Sequence, residues 1–168
     1  SYSGNCLMSG LIGYRSGNRG RCVGSCRKEY EIIDKTTNES LGKNYILSTK
    51  DLNTIDYIED LKEIDSLKIE GRMKEPAYVA NVVSKYRMAL DHKVTEKDKE
   101  DLSKTFNRTF TKGYLFHEDQ KDITNIQRPN NVGYEIGEIS NVVKGMYEIT
   151  LKRPLNQNDI IRISHNNE

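Results

Sequence analysis

Three cysteines and five cations crowd one end of the sequence. Cys6, Cys22 and Cys26 follow the spacing Cys-x15-Cys-x3-Cys, and residues 1–28 also hold Arg15, Arg19, Arg21, Arg27 and Lys28 with no Asp or Glu. The absence of a Cys-x-x-Cys pair argues against a zinc ribbon. Three thiolates can hold a metal or an iron–sulfur cluster when a fourth ligand comes from elsewhere. Neighbouring guanidinium groups favour thiolate over thiol and offset the charge of a thiolate-bound cluster. The plainer alternative is three reduced cysteines in a glycine-rich loop. The same arginines also suit phosphate on a nucleotide or an RNA, with Tyr2 and Tyr14 as stacking faces. Its plain counterpart is a solvated basic loop.

A second constellation is Lys68-Ile69-Glu70-Gly71-Arg72-Met73-Lys74. It falls at the C-terminal end of an expected parallel strand, where β/α folds place their chemistry. Lys68 and Glu70 lie two residues apart and share a face of that strand. Glu70 is then the candidate acid or base, with Lys68 and Arg72 as anion clamps. An ordinary ion-pair cluster at a strand end is the alternative. His92, His117 and His165 show no metal spacing, and no G-x-S-x-G, H-E-x-x-H or P-loop pattern occurs.

The elements that position these groups must come from a chain of 168 residues with net charge +1, 35% hydrophobic and 30% charged residues. That length suits one ordinary domain or two small ones. The charge divides into +5 over residues 1–28 and −4 over the remainder, and half of the 12 glycines lie in the same 28 residues. Only 3 prolines accompany the glycines, which excludes a collagenous or Pro/Gly-rich disordered chain. No apolar run reaches the roughly 18 residues of a membrane span, and no signal-peptide layout is present. The chain reads as cytoplasmic.

Strands are expected at 30–33, 45–47 and 66–70, with a polar turn over 36–42. Leu52, Ile55, Ile58 and Leu61 recur at helical spacing after a cap at Ser48 or Thr49. A further helix starts at Pro76 and carries Val79, Val82, Val83, Tyr86 and Leu90 on one apolar face. Thr95-x-x-Asp98 opens a charged helix over 95–106 with a capping pattern. Residues 107–131 read as loop. Alternating stretches at 135–139, 146–151 and 159–163 predict a small antiparallel sheet or barrel. Two parallel strands and three short antiparallel ones complete neither sheet, so both ends are expected to belong to something larger.

The motifs together resemble peptidase family U32, the collagenase-like proteases. Gly4-Asn5-Cys6-Leu7-Met8-Ser9 matches the closing half of a family signature, G-x-C-x-[LIVM]-S. Arg15 to Cys22, Cys26-Arg27, Tyr45 to Leu52, Ser66 to Lys74 and Phe106-Asn107-Arg108-x-Phe110-Thr111-x-Gly113-Tyr114 follow in family order. Thr109 stands where relatives usually carry glycine, and Asn158-Asp159 where a Gly-Asp turn is common. The resemblance implies an α/β fold. Residues 1–125 would be the C-terminal portion of a TIM-barrel-like domain with its Cys-rich loop at 1–28, and 126–168 the start of a small, truncated antiparallel β-domain. It implies a [4Fe–4S] cluster on Cys6, Cys22 and Cys26, with a fourth cysteine upstream of Ser1. It further implies either iron–sulfur-dependent hydroxylation of RNA, such as a tRNA wobble uridine with prephenate as oxygen source, or proteolysis of a protein substrate. A scaffold without activity is the third reading. Arg15, Arg19, Arg21, Arg27 and Lys74 are the candidate contacts to RNA phosphate or to a dicarboxylate.

Overall fold

The computed structural model describes residues 6–71, 74–116 and 122–164. They fall into two compact units, Ser1–Gly133 and Tyr134–Glu168. Helices and short strands mix in the first, and the second is built on a hairpin. The chain is therefore a mixed helix-and-strand protein.

In the first unit, helix α1 (Met8–Gly13) ends on Tyr14 in the left-handed region, with Tyr14 N–H donating to Gly10 O at 2.9 Å. Ser9 on this helix is 1% exposed. Its hydroxyl donates to Arg15 O at 2.5 Å and accepts Val23 N–H at 3.0 Å, which folds the loop back onto the helix. Gly13 allows that closeness: a Cβ there would come within 2.6 Å of a Val23 methyl. The serine and glycine around Cys6 and Cys22 thus fix the loop.

Strands β1 (Tyr30–Ile33) and β2 (Ser40–Asn44) form an antiparallel pair with a bulge between Glu31 and Ile33. The turn between them is tighter than the expected 36–42. Asp34 Oδ1 accepts Thr36 N–H at 2.7 Å and Thr37 N–H at 3.2 Å, closing an Asx-type turn, so β2 begins at Ser40.

The expected strand at 45–47 is a turn, closed by Ser48 N–H on Tyr45 O at 2.8 Å. The expected helix over 52–61 is also absent. Strand β3 (Asp51–Leu52) pairs in parallel with β4 (Phe110–Thr111) and takes the first turn of that segment. Two 3₁₀ turns, Ile55–Tyr57 and Glu59–Leu61, follow. Residues 66–70 belong to no strand, because no neighbouring strand pairs with them among the described residues. Their exposure still alternates, with Leu67 and Ile69 turned inward. The one parallel pair in the chain's described part thus joins 51–52 to 110–111, not 45–47 to 66–70.

Helix α2 (Pro76–Leu90) starts on proline as expected. Its Ala89 is buried, and Val82 and Tyr86 pack on a cluster of Ile55, Ile58 and Leu102, with Leu67, Val94 and Phe110 around it. Val83 and Leu90 face outward, so the buried face is rotated from the stripe that spacing alone gives. Helix α3 (Glu96–Asp101) carries the full capping box at Thr95 and Asp98 and passes into a 3₁₀ turn at Leu102. Lys85 of α2 reaches Asp98 at 2.6 Å and Asp101 at 3.4 Å, which ties the two helices.

Asn107 organises the loop that precedes β4. It is 3% exposed. Its Nδ2 donates to Ser103 O at 2.7 Å and to Gly133 O at 3.2 Å, and its Oδ1 accepts Thr109 N–H at 3.0 Å. Thr109 sits at φ 64, a conformation that costs a β-branched residue about 1–2 kcal/mol. This explains the glycine expected there. Thr109→Gly is predicted to raise stability by about 0.5–1 kcal/mol, the relieved strain exceeding the entropy that glycine loses. The urea midpoint measures it, and a lower midpoint for the variant would refute the assignment.

In the second unit, β5 (Gly137–Val143) and β6 (Met146–Leu151) pair antiparallel around Lys144 (φ 50) and Gly145 (φ 78). These angles suit a tight two-residue hairpin turn. Lys152 holds the open end through Glu135 at 2.7 Å and Glu138 at 2.5 Å. The expected third strand at 159–163 is not formed, since no strand among the described residues lies beside it, and Ile160 is 99% exposed. Asn158, at φ 73, instead closes a turn in which Asp159 Oδ2 accepts Asn156 N–H at 2.8 Å. No helix among the described residues is long and apolar enough to cross a membrane.

Candidate functional site

The cationic segment divides when it folds. Arg15, Arg19 and Arg21 are exposed, whereas Arg27 is half-buried. Arg27 Nη1 donates to Ser48 Oγ and to Thr49 O, both at 2.7 Å, and Nη2 donates to Thr49 Oγ1 at 3.2 Å. Ser48 is wholly buried, so this anchor is rigid. The strand ladder continues it: Lys50 N–H donates to Ile123 O, and Asp51 N–H to Thr109 O, both at 2.9 Å.

Asp51 lies next along the chain. Its Oδ2 accepts Arg108 N–H at 2.9 Å and its Oδ1 accepts Arg108 Nε–H at 3.1 Å, with a further bond from Nη2 to Oδ1. Both guanidinium donors converge on Oδ1 while Oδ2 takes the backbone N–H, so each contact is a charge-assisted bond of the stronger kind. Lys74 completes the group, its ammonium over the Phe106 ring and 5.9 Å from the centre of the Tyr78 ring. Arg108 also stacks on Phe106, at 5.3 Å.

The charges respond to one another. Burial lowers the affinity of Lys74 for its proton, and repulsion from Arg108 and Arg27 adds to it, partly offset by Asp51. Burial likewise lowers Arg27, with Arg108 in the same direction, while Cys26 and Asp51 act against. Tyr78 is pushed up, first by burial and then by the nearby Asp51 carboxylate. Cys26, Arg27, Asp51, Lys74, Tyr78, Phe106 and Arg108 therefore form one polar neighbourhood.

Of the residues read from sequence as candidates, the fold brings together Cys26, Arg27 and Lys74. Lys68 and Glu70 do share a face, with Nζ and Oε2 4.0 Å apart, but their side chains are 83% and 62% exposed and lie in solvent. Arg72 lies outside the described residues. Asp51, Tyr78 and Ser48 escape sequence reasoning as site residues. Arg108 and Phe106 stand in a motif quoted for the resemblance, yet nothing in spacing links Arg108 to Asp51, 57 residues away.

A thiolate-bound cluster can be tested against this loop. Cys6 and Cys22 are exposed and Cys26 is half-buried. Gly24 N–H donates to Cys22 Sγ at 3.3 Å, and a Cβ at Gly17 would meet that Sγ at 4.0 Å. The hydroxyl of Ser25, 3% exposed, has no hydrogen-bond partner. Soft thiols, a donated N–H, a bare glycine and an orphaned hydroxyl beside Cys26 fit such a group in chemistry. Among the described residues, however, no three Cys, His, Asp or Glu side chains converge closely enough to hold a metal ion.

These features define a chain of mixed helix and strand with a thiol-bearing loop beside a half-buried cationic cluster. The profile of peptidase family U32 matches residues 1–125, and the chain belongs to that family. It is 34% identical to an uncharacterised protease of Methanocaldococcus jannaschii, over 96% of this chain and 44% of that protein. It is 30% identical to the 23S rRNA 5-hydroxycytidine C2501 synthase of Escherichia coli, over 97% of this chain and 27% of that protein. It is 41% identical to tRNA hydroxylation protein P1 of Bacillus subtilis, over 54% of this chain and 24% of that protein. The chain thus spans less than half the length of each of these relatives. No solved structure matches it.

Proposed function

We propose that this chain is part of an enzyme that hydroxylates a pyrimidine of RNA, tRNA in the first instance. The observation that carries the proposal is that Cys26 adjoins the half-buried Arg27, whose charge is felt in turn by Lys74 and Arg108, the two cations set on the Phe106 ring. The relatives named for rRNA and tRNA hydroxylation support it. Exposed Arg15, Arg19 and Arg21 suit the phosphate backbone of an RNA, and the aromatic rings suit an unstacked base. Cys6, Cys22 and Cys26 are the proposed ligands of a [4Fe–4S] cluster, which supplies electron-transfer chemistry when bound. In the net reaction a C5–H bond breaks and a C5–O bond forms. A co-substrate must supply the oxygen and accept two electrons, and prephenate is the proposed one. Lys74 and Arg27 hold and orient such an anion. The parallel β3–β4 pair and the extended 66–70 segment support placing this unit in a TIM-barrel-like domain.

Proteolysis needs a nucleophile, a base and oxyanion donors in one place. His92 is the one histidine among the described residues, and its Nδ1 pairs with Glu59 at 3.2 Å on the exposed surface.

Anaerobic purification of the protein with its native flanking sequence tests the reading, beside a gelatin-cleavage assay. The expected result is about four iron and four sulfide per chain and no cleavage that depends on Glu70. Iron-free protein that cleaves gelatin, with Glu70→Ala abolishing the cleavage, would overturn it.

A further inference from the structure

Ser25 is 3% exposed, and its hydroxyl has no hydrogen-bond partner among the described residues. Its backbone is not free to turn toward one. Gly24, at φ 68, leads into the 3₁₀ turn Ser25–Arg27, and Arg27 N–H donates to Gly24 O at 2.8 Å. Ser25 O accepts Lys28 N–H at 3.2 Å and the Tyr30 hydroxyl at 2.9 Å. The residue is pinned with its Oγ–H inside the loop. A buried donor of this kind costs free energy until an acceptor arrives, and orphaned groups mark places for a redox group, an ion or a water.

The neighbours decide among these. Ser25 lies between Cys22 and Cys26 and directly precedes the second. The same stretch already aims one donor at sulfur, since Gly24 N–H donates to Cys22 Sγ at 3.3 Å. Cys22 and Cys26 thus bracket two donors, one spent on sulfur and one unspent. A neutral thiol is a weak acceptor. A thiolate or sulfide bound to iron carries more negative charge and accepts better.

We infer that the Ser25 hydroxyl donates a hydrogen bond to a sulfur of the cluster proposed on Cys22 and Cys26, and thereby raises its reduction potential. The inference rests on the proposed cluster and goes beyond it, assigning a tuning role to a residue that is not a ligand. One added electron makes the cluster more negative, so a donor on its sulfur favours the reduced form. The hydroxyl keeps its proton throughout, and no covalent bond to Ser25 forms or breaks.

The test compares Ser25→Ala with the unmodified protein, both with native flanking sequence and purified without oxygen. Iron and sulfide per chain come first. The potential follows from titration with dithionite as the electron source. Resonance Raman then reads the shift of the Fe–S stretching bands when H2O is replaced by D2O. Both are read on the loaded fraction, so partial loading does not obscure them. Ser25→Ala is expected to shift the reduction equilibrium about tenfold toward the oxidised form, about 59 mV for one electron. Its D2O shift is expected to be smaller. In the metal-free proteins the sign reverses: Ser25→Ala is expected to raise the urea midpoint, because an unsatisfied buried donor is gone. Should Ser25→Ala load no cluster, Ser25→Thr, which keeps the hydroxyl, is expected to load one, and failure of both would overturn the inference. Equal potentials and equal D2O shifts would overturn it and leave the cluster standing. A lower midpoint for metal-free Ser25→Ala would overturn it too, since the hydroxyl would then already have a partner, such as a buried water. Iron-free unmodified protein would overturn the cluster itself, and the inference with it.

Discussion

Asp51→Ala is expected to destabilise the chain by about 2–4 kcal/mol, the largest effect of any single substitution in the first unit. The carboxylate accepts three bonds from Arg108, one from its backbone and two from its side chain. Both side chains are about one-quarter exposed, at 23% for Asp51 and 22% for Arg108. A fully buried pair broken on one side costs about 3–5 kcal/mol, and an exposed pair at most about 1. Partial exposure places this one between, toward the buried limit, because truncation also leaves Arg27, Lys74 and Arg108 with no shared counter-charge. Since a domain is stable by only about 5–15 kcal/mol, the loss is a large fraction of the total. Asp51→Asn keeps the acceptor for the Arg108 backbone and is expected to fall midway. Adding Arg108→Ala to Asp51→Ala is expected to recover part of the loss, because the stranded cation is gone. Urea unfolding at neutral pH measures all three. A loss below about 0.5 kcal/mol for Asp51→Ala would mean the pair is only a surface contact.

Cys26→Ser is expected to lower hydroxylation and bound iron together, by about 100-fold or more in activity, in the protein with its native flanking sequence. Serine keeps size and polarity, but its hydroxyl is a poor ligand for a soft iron site. Cys26 differs from Cys6 and Cys22 in being half-buried and next to Arg27 in the chain. The anchor of Arg27 on Ser48 and Thr49 does not involve the sulfur, so folding is expected to persist. The unfolding midpoint of the metal-free protein checks that. Full activity and full iron content in Cys26→Ser would remove this residue from the ligand set.

Local chemistry made much of the fold readable. Pro76 opens α2, Thr95 and Asp98 close a capping box, and Lys144-Gly145 turns the hairpin, because each depends on residues within a few positions. The misread segments are those where tertiary pairing decided. Leu52 to Leu61 have helical spacing, yet the parallel ladder with Phe110–Thr111 claims Asp51 and Leu52, and 3₁₀ turns follow. Ser66 to Glu70 keep a strand's alternation without a partner strand among the described residues. The site was legible in half. Cys26, Arg27 and Lys74 stood out by type and clustering. Asp51 and Arg108 did not, because a carboxylate in a first turn and an arginine in a loop look ordinary until the β3–β4 register aligns them. Ser9 gained meaning in the same way: the last residue of the signature is a buried clamp between Arg15 and Val23.

The most direct test of RNA hydroxylation is nucleoside mass spectrometry of tRNA and rRNA from a host that lacks its own 5-hydroxypyrimidine synthesis. The host expresses the protein with its native flanking sequence, unmodified or as Cys26→Ser. Appearance of a 5-hydroxylated uridine or cytidine with the unmodified protein, and its loss with Cys26→Ser, is the predicted result. RNA free of any such nucleoside in both strains, with the protein expressed, folded and loaded with iron, would contradict it.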